Sequence, residues 1–128
     1  MMKELPKITD AEWKVMNVIW EKAPITSCEI VESLKDITKW SATTIYTLIS
    51  RLVKKKAVAI KEGSSPNICY PLISRDGYRR KESDSFLSKV YGGSLNLMMA
   101  NMVREMKLSD KDIDELKRVL DESKLGKE

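Results

Sequence analysis

One face of a helix in the middle of the chain carries side chains suited to contact with nucleic acid. Apolar residues recur there at intervals of three and four, so they share one face of a helix that Ser41 can cap. These apolar residues are Ile45, Leu48, Ile49 and Leu52. The opposite face collects hydroxyl groups, which can contact base edges and thymine methyls, and cations, which can neutralise phosphates. The predicted DNA-binding residues are Ser41, Ala42, Thr43, Thr44, Tyr46, Thr47, Ser50, Arg51, Lys54 and Lys61.

The charge of the chain is concentrated around this helix. The whole chain has 23 Lys and Arg against 19 Asp and Glu, a formal net charge of +4. Between Asp36 and Glu62 lie 25 positions with six basic residues and no acidic one, a local charge of +6. A polyanion placed there would meet cations without repulsion. A merely solvated basic face is the alternative explanation, and the order of helices and strands described below disfavours it.

The composition excludes several classes of enzyme. The chain has no histidine and only two cysteines, Cys28 and Cys69, which rules out Ser-His-Asp and Cys-His catalysis, histidine-held haem and the usual zinc sites. The carboxylates form no recognisable catalytic pair, so we expect no enzymatic activity, no metal and no cofactor. The first residues lack the apolar core of a signal peptide and no segment is apolar enough to span a bilayer. We therefore expect a cytoplasmic protein without membrane insertion and with reduced cysteines, redox sensing being the alternative for the cysteines.

The helix described above stands third in a series that predicts a winged helix-turn-helix. Thr9 with Glu12, and Thr26 with Glu29, form capping-box patterns that begin a first helix over residues 9–22 and a second helix ending near residue 34. Two short strands, residues 58–62 and 67–72, flank a Gly-Ser-Ser-Pro turn and predict a hairpin. Three helices followed by a hairpin, in a basic chain of this size, predict a winged-helix DNA-binding domain over residues 1–74.

Residues 75–128 predict three further helices with too few apolar residues for an independent core. Gly92-Gly93 separates the first of these helices from the second, and Ser109 caps the third. We expect them to complete their core against a second copy of the chain, which makes the fold mainly α with a small β wing: a winged helix-turn-helix domain and a C-terminal helical dimerisation domain. The predicted dimer contacts are Leu95, Met98, Met99, Met102, Ile113, Leu116 and Leu120. Methionines can also bind copper, but their helical spacing without nearby Cys or His favours packing.

Several motifs resemble, in one order and over nearly the whole chain, the penicillinase-repressor (BlaI/MecI) family of bacterial winged-helix repressors. ITDAEWKVMNVIW (residues 8–20) looks like the first helix of the family, and EIVESL (29–34) resembles its second. KWSATTIYTLISRLVKKKAV (39–58) is similar to its recognition-helix motif. YPLISRDGYR (70–79) and SFLSKVYGGS look like its wing exit and its connecting helix.

The resemblance implies a homodimer that binds palindromic double-stranded operator DNA and represses β-lactamase or related antibiotic-resistance genes. It also implies that a membrane sensor-transducer with a metalloprotease domain relieves repression by cleaving within the dimerisation helices. The family's cut follows an asparagine that precedes an aromatic residue. Asn101–Met102 occupies that place here and is the candidate scissile bond, although Met102 departs from the aromatic pattern.

The recognition helix also departs from the family pattern. The family often has proline and then a basic residue in its first turn, where this chain has Ala42 and Thr43, and arginine where Tyr46 stands. Arginine is the commonest reader of guanine, so we do not extend the family's usual operator sequence to this chain. Two alternatives stay open: a repressor of the same family that answers to a metal or another signal, and a winged-helix interaction adaptor that binds no DNA. The missing C-terminal Cys-x-Cys pair disfavours the copper-responsive relatives, and the acid-free stretch disfavours an adaptor.

Overall fold

The computed structural model describes residues 5–126, which contain six helices and three strands. The helices are α1 (Asp10–Lys22), α2 (Ser27–Thr38), α3 (Ala42–Lys54), α4 (Arg75–Tyr91), α5 (Leu95–Glu105) and α6 (Asp110–Leu125). The strands are β1 (Ile25–Thr26), β2 (Val58–Ile60) and β3 (Ile68–Pro71). The chain forms two compact units, and the division between them falls within α4, after Glu82.

Local capping sets the starts of the first two helices. The Thr9 hydroxyl accepts the Glu12 N–H while the Glu12 carboxylate accepts the Thr9 N–H, and Thr26 and Glu29 repeat this reciprocal pair. Both predicted capping boxes are therefore confirmed. The predicted end of α2 near residue 34 was too early, because no residue after Leu34 breaks the helix. It ends where Lys39 takes a left-handed conformation with φ of 62°.

The core of the first unit lies between α1, α2, α3 and the sheet. All four apolar residues predicted for the inner face of α3 are buried, and they pack with apolar residues of α1 and α2. Residues 39–41 alone connect α2 to α3, which is the short turn of a helix-turn-helix. Trp40 is half-buried against this core, so it anchors the start of α3.

The sheet has the strand order β1-β3-β2 and is antiparallel throughout. The β2–β3 hairpin confirms the predicted wing, with shorter strands than the sequence indicated. Its turn needs the positive φ of Gly63, which is 77°. Strand β1 was not predicted, because two residues between Pro24 and a helix carry no periodicity. Pairing of Ile25 with Cys69 reveals it.

The first two turns of α4 belong to the first unit and pack against its other elements. Tyr78 is buried, its hydroxyl accepts the Ile8 N–H at 2.8 Å, and its ring centre lies 5.2 Å from that of Trp13. The Lys81 ammonium donates to the Leu5 carbonyl at 2.6 Å. These contacts group residues 75–82 with the first three helices, eight residues beyond the boundary predicted from composition.

The second unit contains the rest of α4 together with α5 and α6. Neither α5 nor α6 contains a buried residue. The capping of α6 is as predicted, with Ser109 and Asp112 forming a reciprocal pair. Among residues 5–126 no helix is both long enough and apolar enough to cross a membrane.

Candidate nucleic-acid interface

The N-cap and outer face of α3, together with the wing residue that follows β2, present the residues predicted to bind DNA. We call this set the recognition surface: Ser41, Ala42, Thr43, Thr44, Tyr46, Thr47, Ser50, Arg51, Lys54 and Lys61. Every one of these ten residues is exposed. The arrangement follows from the sequence of α3, because burying its apolar stripe forces the hydroxyl and basic side chains outward.

Hydrogen bonds within α3 limit what its hydroxyl groups can offer a ligand. Ser41 caps the helix by accepting the Thr44 N–H, and the hydroxyl oxygens of Ser41 and Thr44 are 3.0 Å apart. The Thr47 hydroxyl donates to the Thr43 carbonyl at 2.9 Å. A threonine hydroxyl that bonds back to its own helix is less available to base edges, whereas the threonine methyl group can still contact a thymine methyl.

The cations of the recognition surface are free of ion pairs within residues 5–126. Arg51 and Lys54 lie in the last turn of α3, and Lys61 follows β2 on the wing. None of the three forms a salt bridge in this part of the chain. Their charges are therefore available to phosphates without first breaking an internal contact.

Lys55 belongs to the same basic stretch but points into the protein. Its ammonium donates to the Lys7 carbonyl at 2.8 Å and pairs with the buried carboxylate of Glu12. Lys55 therefore adds to the positive charge of this stretch of sequence but not to that of the recognition surface, because folding commits it to Glu12. Burial acts to raise the pKa of Glu12, but the hydrogen bonds from Lys55 and Thr9 outweigh it, so this pKa lies below its ordinary value.

Tyr46 is in contact with the first turn of α2. The Cys28 sulfur lies 3.7 Å from the Tyr46 hydroxyl oxygen, and this hydrogen bond raises the pKa of Tyr46 above its ordinary value. Cys28 thus borders the recognition surface, a role that sequence reasoning missed. No local pattern joins two residues 18 positions apart on different helices. The second cysteine, Cys69, is buried in β3, and burial raises its pKa.

The second unit carries an apolar groove between α5 and α6. The groove has a volume of about 530 Å³. Four of the residues predicted for the dimer contact line it: Met99, Ile113, Leu116 and Leu120. Leu95 is exposed, while Met98 and Met102 are half-buried.

The candidate scissile residue Asn101 lies inside α5 and is exposed. Its side-chain amide donates to the Tyr91 hydroxyl at 3.2 Å. Among residues 5–126, no three His, Cys, Asp or Glu side chains are close enough to hold a metal ion.

Three helices, a short turn before the third, a β hairpin and an exposed recognition surface together define a winged helix-turn-helix DNA-binding protein. The family model described as "Penicillinase repressor" matches residues 8–122. The chain is 37% identical over 123 residues to the penicillinase repressor of Bacillus licheniformis, covering 96% of each protein. It is also 37% identical over 114 residues to the methicillin resistance regulatory protein MecI of Staphylococcus aureus strain N315, covering 89% of this chain and 93% of that protein. The chain belongs to the penicillinase repressor family.

Two solved structures of BlaI resemble a part of this chain. The solution structure of the DNA-binding domain of the repressor BlaI aligns with a TM-score of 0.54 at 36% identity, covering 60% of this chain and 94% of that domain. The monomeric form of Bacillus licheniformis BlaI, solved in complex with the blaP half-operator, aligns with a TM-score of 0.53 and the same identity and coverage. These matches confirm the winged-helix fold. The names of the relatives describe repressors and regulatory proteins rather than enzymes, in agreement with the composition.

Proposed function

We propose that this chain is a homodimeric transcriptional repressor that binds palindromic operator DNA through its recognition surface. The observation that carries the proposal is that surface: ten exposed side chains, three of them cationic, on the second helix of a helix-turn-helix and the wing beside it. In this role α3 enters the major groove, while Arg51, Lys54 and the wing residue Lys61 neutralise phosphates. The half-operator bound by its relative BlaI supports the same use of the fold.

The proposal includes a dimer formed by the second unit. Leu95, Leu116 and Leu120 keep 54%, 39% and 65% of their surface exposed, which is unfavourable for a single copy in water. Packing against the same helices of a second copy would cover them and would present two recognition surfaces to a palindrome. Joining two such surfaces raises affinity about 10² to 10⁴-fold over one.

We propose that the regulated genes confer antibiotic resistance, β-lactamase among them, because the relatives are a penicillinase repressor and a methicillin resistance regulator. Repression would be relieved when a membrane sensor-transducer with a metalloprotease domain cuts Asn101–Met102 in the cytoplasm. The cut would remove Ile113, Leu116 and Leu120 from the dimer. Because Asn101 lies within a helix, α5 must open locally before the bond can enter a protease site.

DNA binding is tested with duplexes that the full chain selects from random DNA. Arg51→Ala should weaken binding to every selected sequence. It should also reduce the slope of log affinity against log salt concentration by about 0.9 for each phosphate that is no longer neutralised. Arg118→Ala is the matched control, since it removes the same charge from exposed α6. Fluorescence anisotropy over a salt series measures both quantities. Salt-insensitive binding, or equal effects of the two variants, would refute the assignment of the surface.

The dimer and its release are tested by ending the chain after Asn101. The truncated protein should sediment as a monomer, should bind a single half-site as well as the full chain does, and should show no preference for a palindrome. The full chain should sediment as a dimer. A truncated protein that remains dimeric would exclude cleavage at this bond as the means of release.

A further inference from the structure

Arg75, the first residue of α4, ties the start of that helix to α1. Its Nη1 lies 3.1 Å from the Glu21 carboxylate, and its Nη2 donates to the Asn17 carbonyl at 3.3 Å. The guanidinium carbon lies 5.6 Å from the centre of the Trp20 ring, within the range of a cation–π contact. Thus one side chain bridges the end of the wing and the last turns of α1.

Neighbouring contacts hold the same junction. The Trp20 indole N–H donates to the Ile73 carbonyl at 2.9 Å, so the segment that leaves the wing is fixed to α1 as well. The Ser74 hydroxyl accepts the Gly77 N–H at 3.0 Å and closes the first turn of α4. The direction in which α4 begins is therefore set by side chains of α1 as well as by the local turn at Ser74.

Part of the Arg75 side chain is buried at a cost in stability, which indicates that this arginine serves to position α4. Its Nε is buried and has no hydrogen-bond partner among residues 5–126. An unpartnered buried donor lowers stability, and a smaller or unbranched side chain would avoid that cost. Arg79, one turn later on α4, is exposed and pairs with Asp76 of its own helix at 3.8 Å. The two arginines share type, charge and helix, but of the two Arg75 is the one that pairs with a different helix.

We propose that Arg75 is a positioning residue for operator recognition: it fixes the direction of α4 at its exit from the winged helix and thereby restricts the half-site separations that the dimer can span. This inference rests on the proposed function, a homodimer on two half-sites. A protein with two stiffly held recognition surfaces prefers one separation, whereas loosely held surfaces tolerate several. Removing the Arg75 side chain therefore broadens the range of accepted operators without altering how one half-site is bound.

The test uses the full chain and a half-site taken from DNA selected by the wild-type protein. Palindromes with separations changed in single base-pair steps over one helical turn are compared with an isolated half-site. The wild type should prefer one separation by about tenfold or more, and Arg75→Ala should reduce this preference at least about fivefold. Half-site affinity of Arg75→Ala should stay within about twofold of the wild type, because the recognition surface is untouched. Arg79→Ala is the matched control and should keep the wild-type profile.

Two further variants keep the inference testable if Arg75→Ala does not fold. Arg75→Lys keeps the charge but cannot form the two-pronged contact, and Glu21→Gln removes only the ion pair, so both should broaden the profile to a smaller extent. A wild type that shows no separation preference would overturn the proposed dimeric function and this inference together. A wild type with a sharp preference that Arg75→Ala and Arg75→Lys retain, or affinities reduced equally at every separation, would overturn the inference alone.

Discussion

Two adjacent lysines at the end of α3, Lys54 and Lys55, should respond differently to replacement by methionine. Lys54→Met should weaken DNA binding, and Lys55→Met should lower stability. Both substitutions remove one positive charge and keep a long, unbranched side chain. Lys54 is exposed on the recognition surface, whereas Lys55 is committed to Glu12 and the Lys7 carbonyl. Their consequences for DNA binding and for stability should therefore separate.

The expected decrease in stability follows from the burial of the Glu12–Lys55 pair. The Glu12 side chain is 2% exposed, so Lys55→Met leaves a buried carboxylate without its cation. Removing one partner of a buried pair costs about 3–5 kcal/mol, and the 32% exposure of Lys55 reduces our expectation to about 2–3 kcal/mol. For a unit of this size that lowers Tm by roughly 8–24 °C. Lys54→Met should change stability by less than about 0.5 kcal/mol.

DNA binding should show the reverse pattern. Lys54→Met should reduce the salt slope by about 0.9 for each phosphate contact, or about 1.8 for a dimer. Lys55→Met should leave the slope unchanged at temperatures where the variant is folded. Thermal unfolding and fluorescence anisotropy on the same preparations supply both readouts. A salt slope that falls equally in both variants, or a Tm that falls equally, would refute the assignment of Lys54 to DNA binding and of Lys55 to the pair with Glu12.

The pH dependence supplies an independent check on the same pair. The pKa of Glu12 is lowered on folding, so its contribution to stability is fully present above the ordinary carboxyl value and is lost as pH falls through the folded pKa. In Lys55→Met the carboxyl lacks its cation and accepts a proton at higher pH. The difference in Tm between the wild type and Lys55→Met should therefore shrink from pH 7 to about pH 4. A difference that stays constant or grows would contradict the ion-pair explanation.

Three further outcomes follow from the structure. Ile45→Ala, at a fully buried position of α3, should lower the free energy of unfolding by about 2–5 kcal/mol in a denaturant titration, whereas Thr47→Ala on the opposite face should change it little. Thr26→Ala removes the capping box of α2 and should cost about 1 kcal/mol in the same assay. Leu116→Asp places a charge in the α5–α6 groove and should yield a monomer by sedimentation with unchanged half-site affinity; a persistent dimer would exclude this groove from the interface.

Most of the helices could be predicted from the sequence because their signals are local. Capping residues at Thr9, Thr26, Ser41 and Ser109 mark helix starts, and each is confirmed as a cap. The apolar stripe of α3 predicts its buried face, and the residues on the opposite face of α3 therefore predict most of the recognition surface. The end of α2 and the existence of β1 could not be predicted, since one depends on a left-handed Lys39 and the other on pairing with a distant strand.

The sequence by itself determined the winged-helix order, the outward face of α3 and the concentration of positive charge around it, because periodicity, caps and charge are properties of neighbouring residues. Only the tertiary structure decided which of these polar and basic side chains are free to contact a ligand. It turns Lys55 inward to Glu12, places Cys28 beside Tyr46 and joins Arg75 to α1. Each of these contacts links residues 18 or more positions apart, and such contacts form only when the burial of apolar surface brings whole helices together.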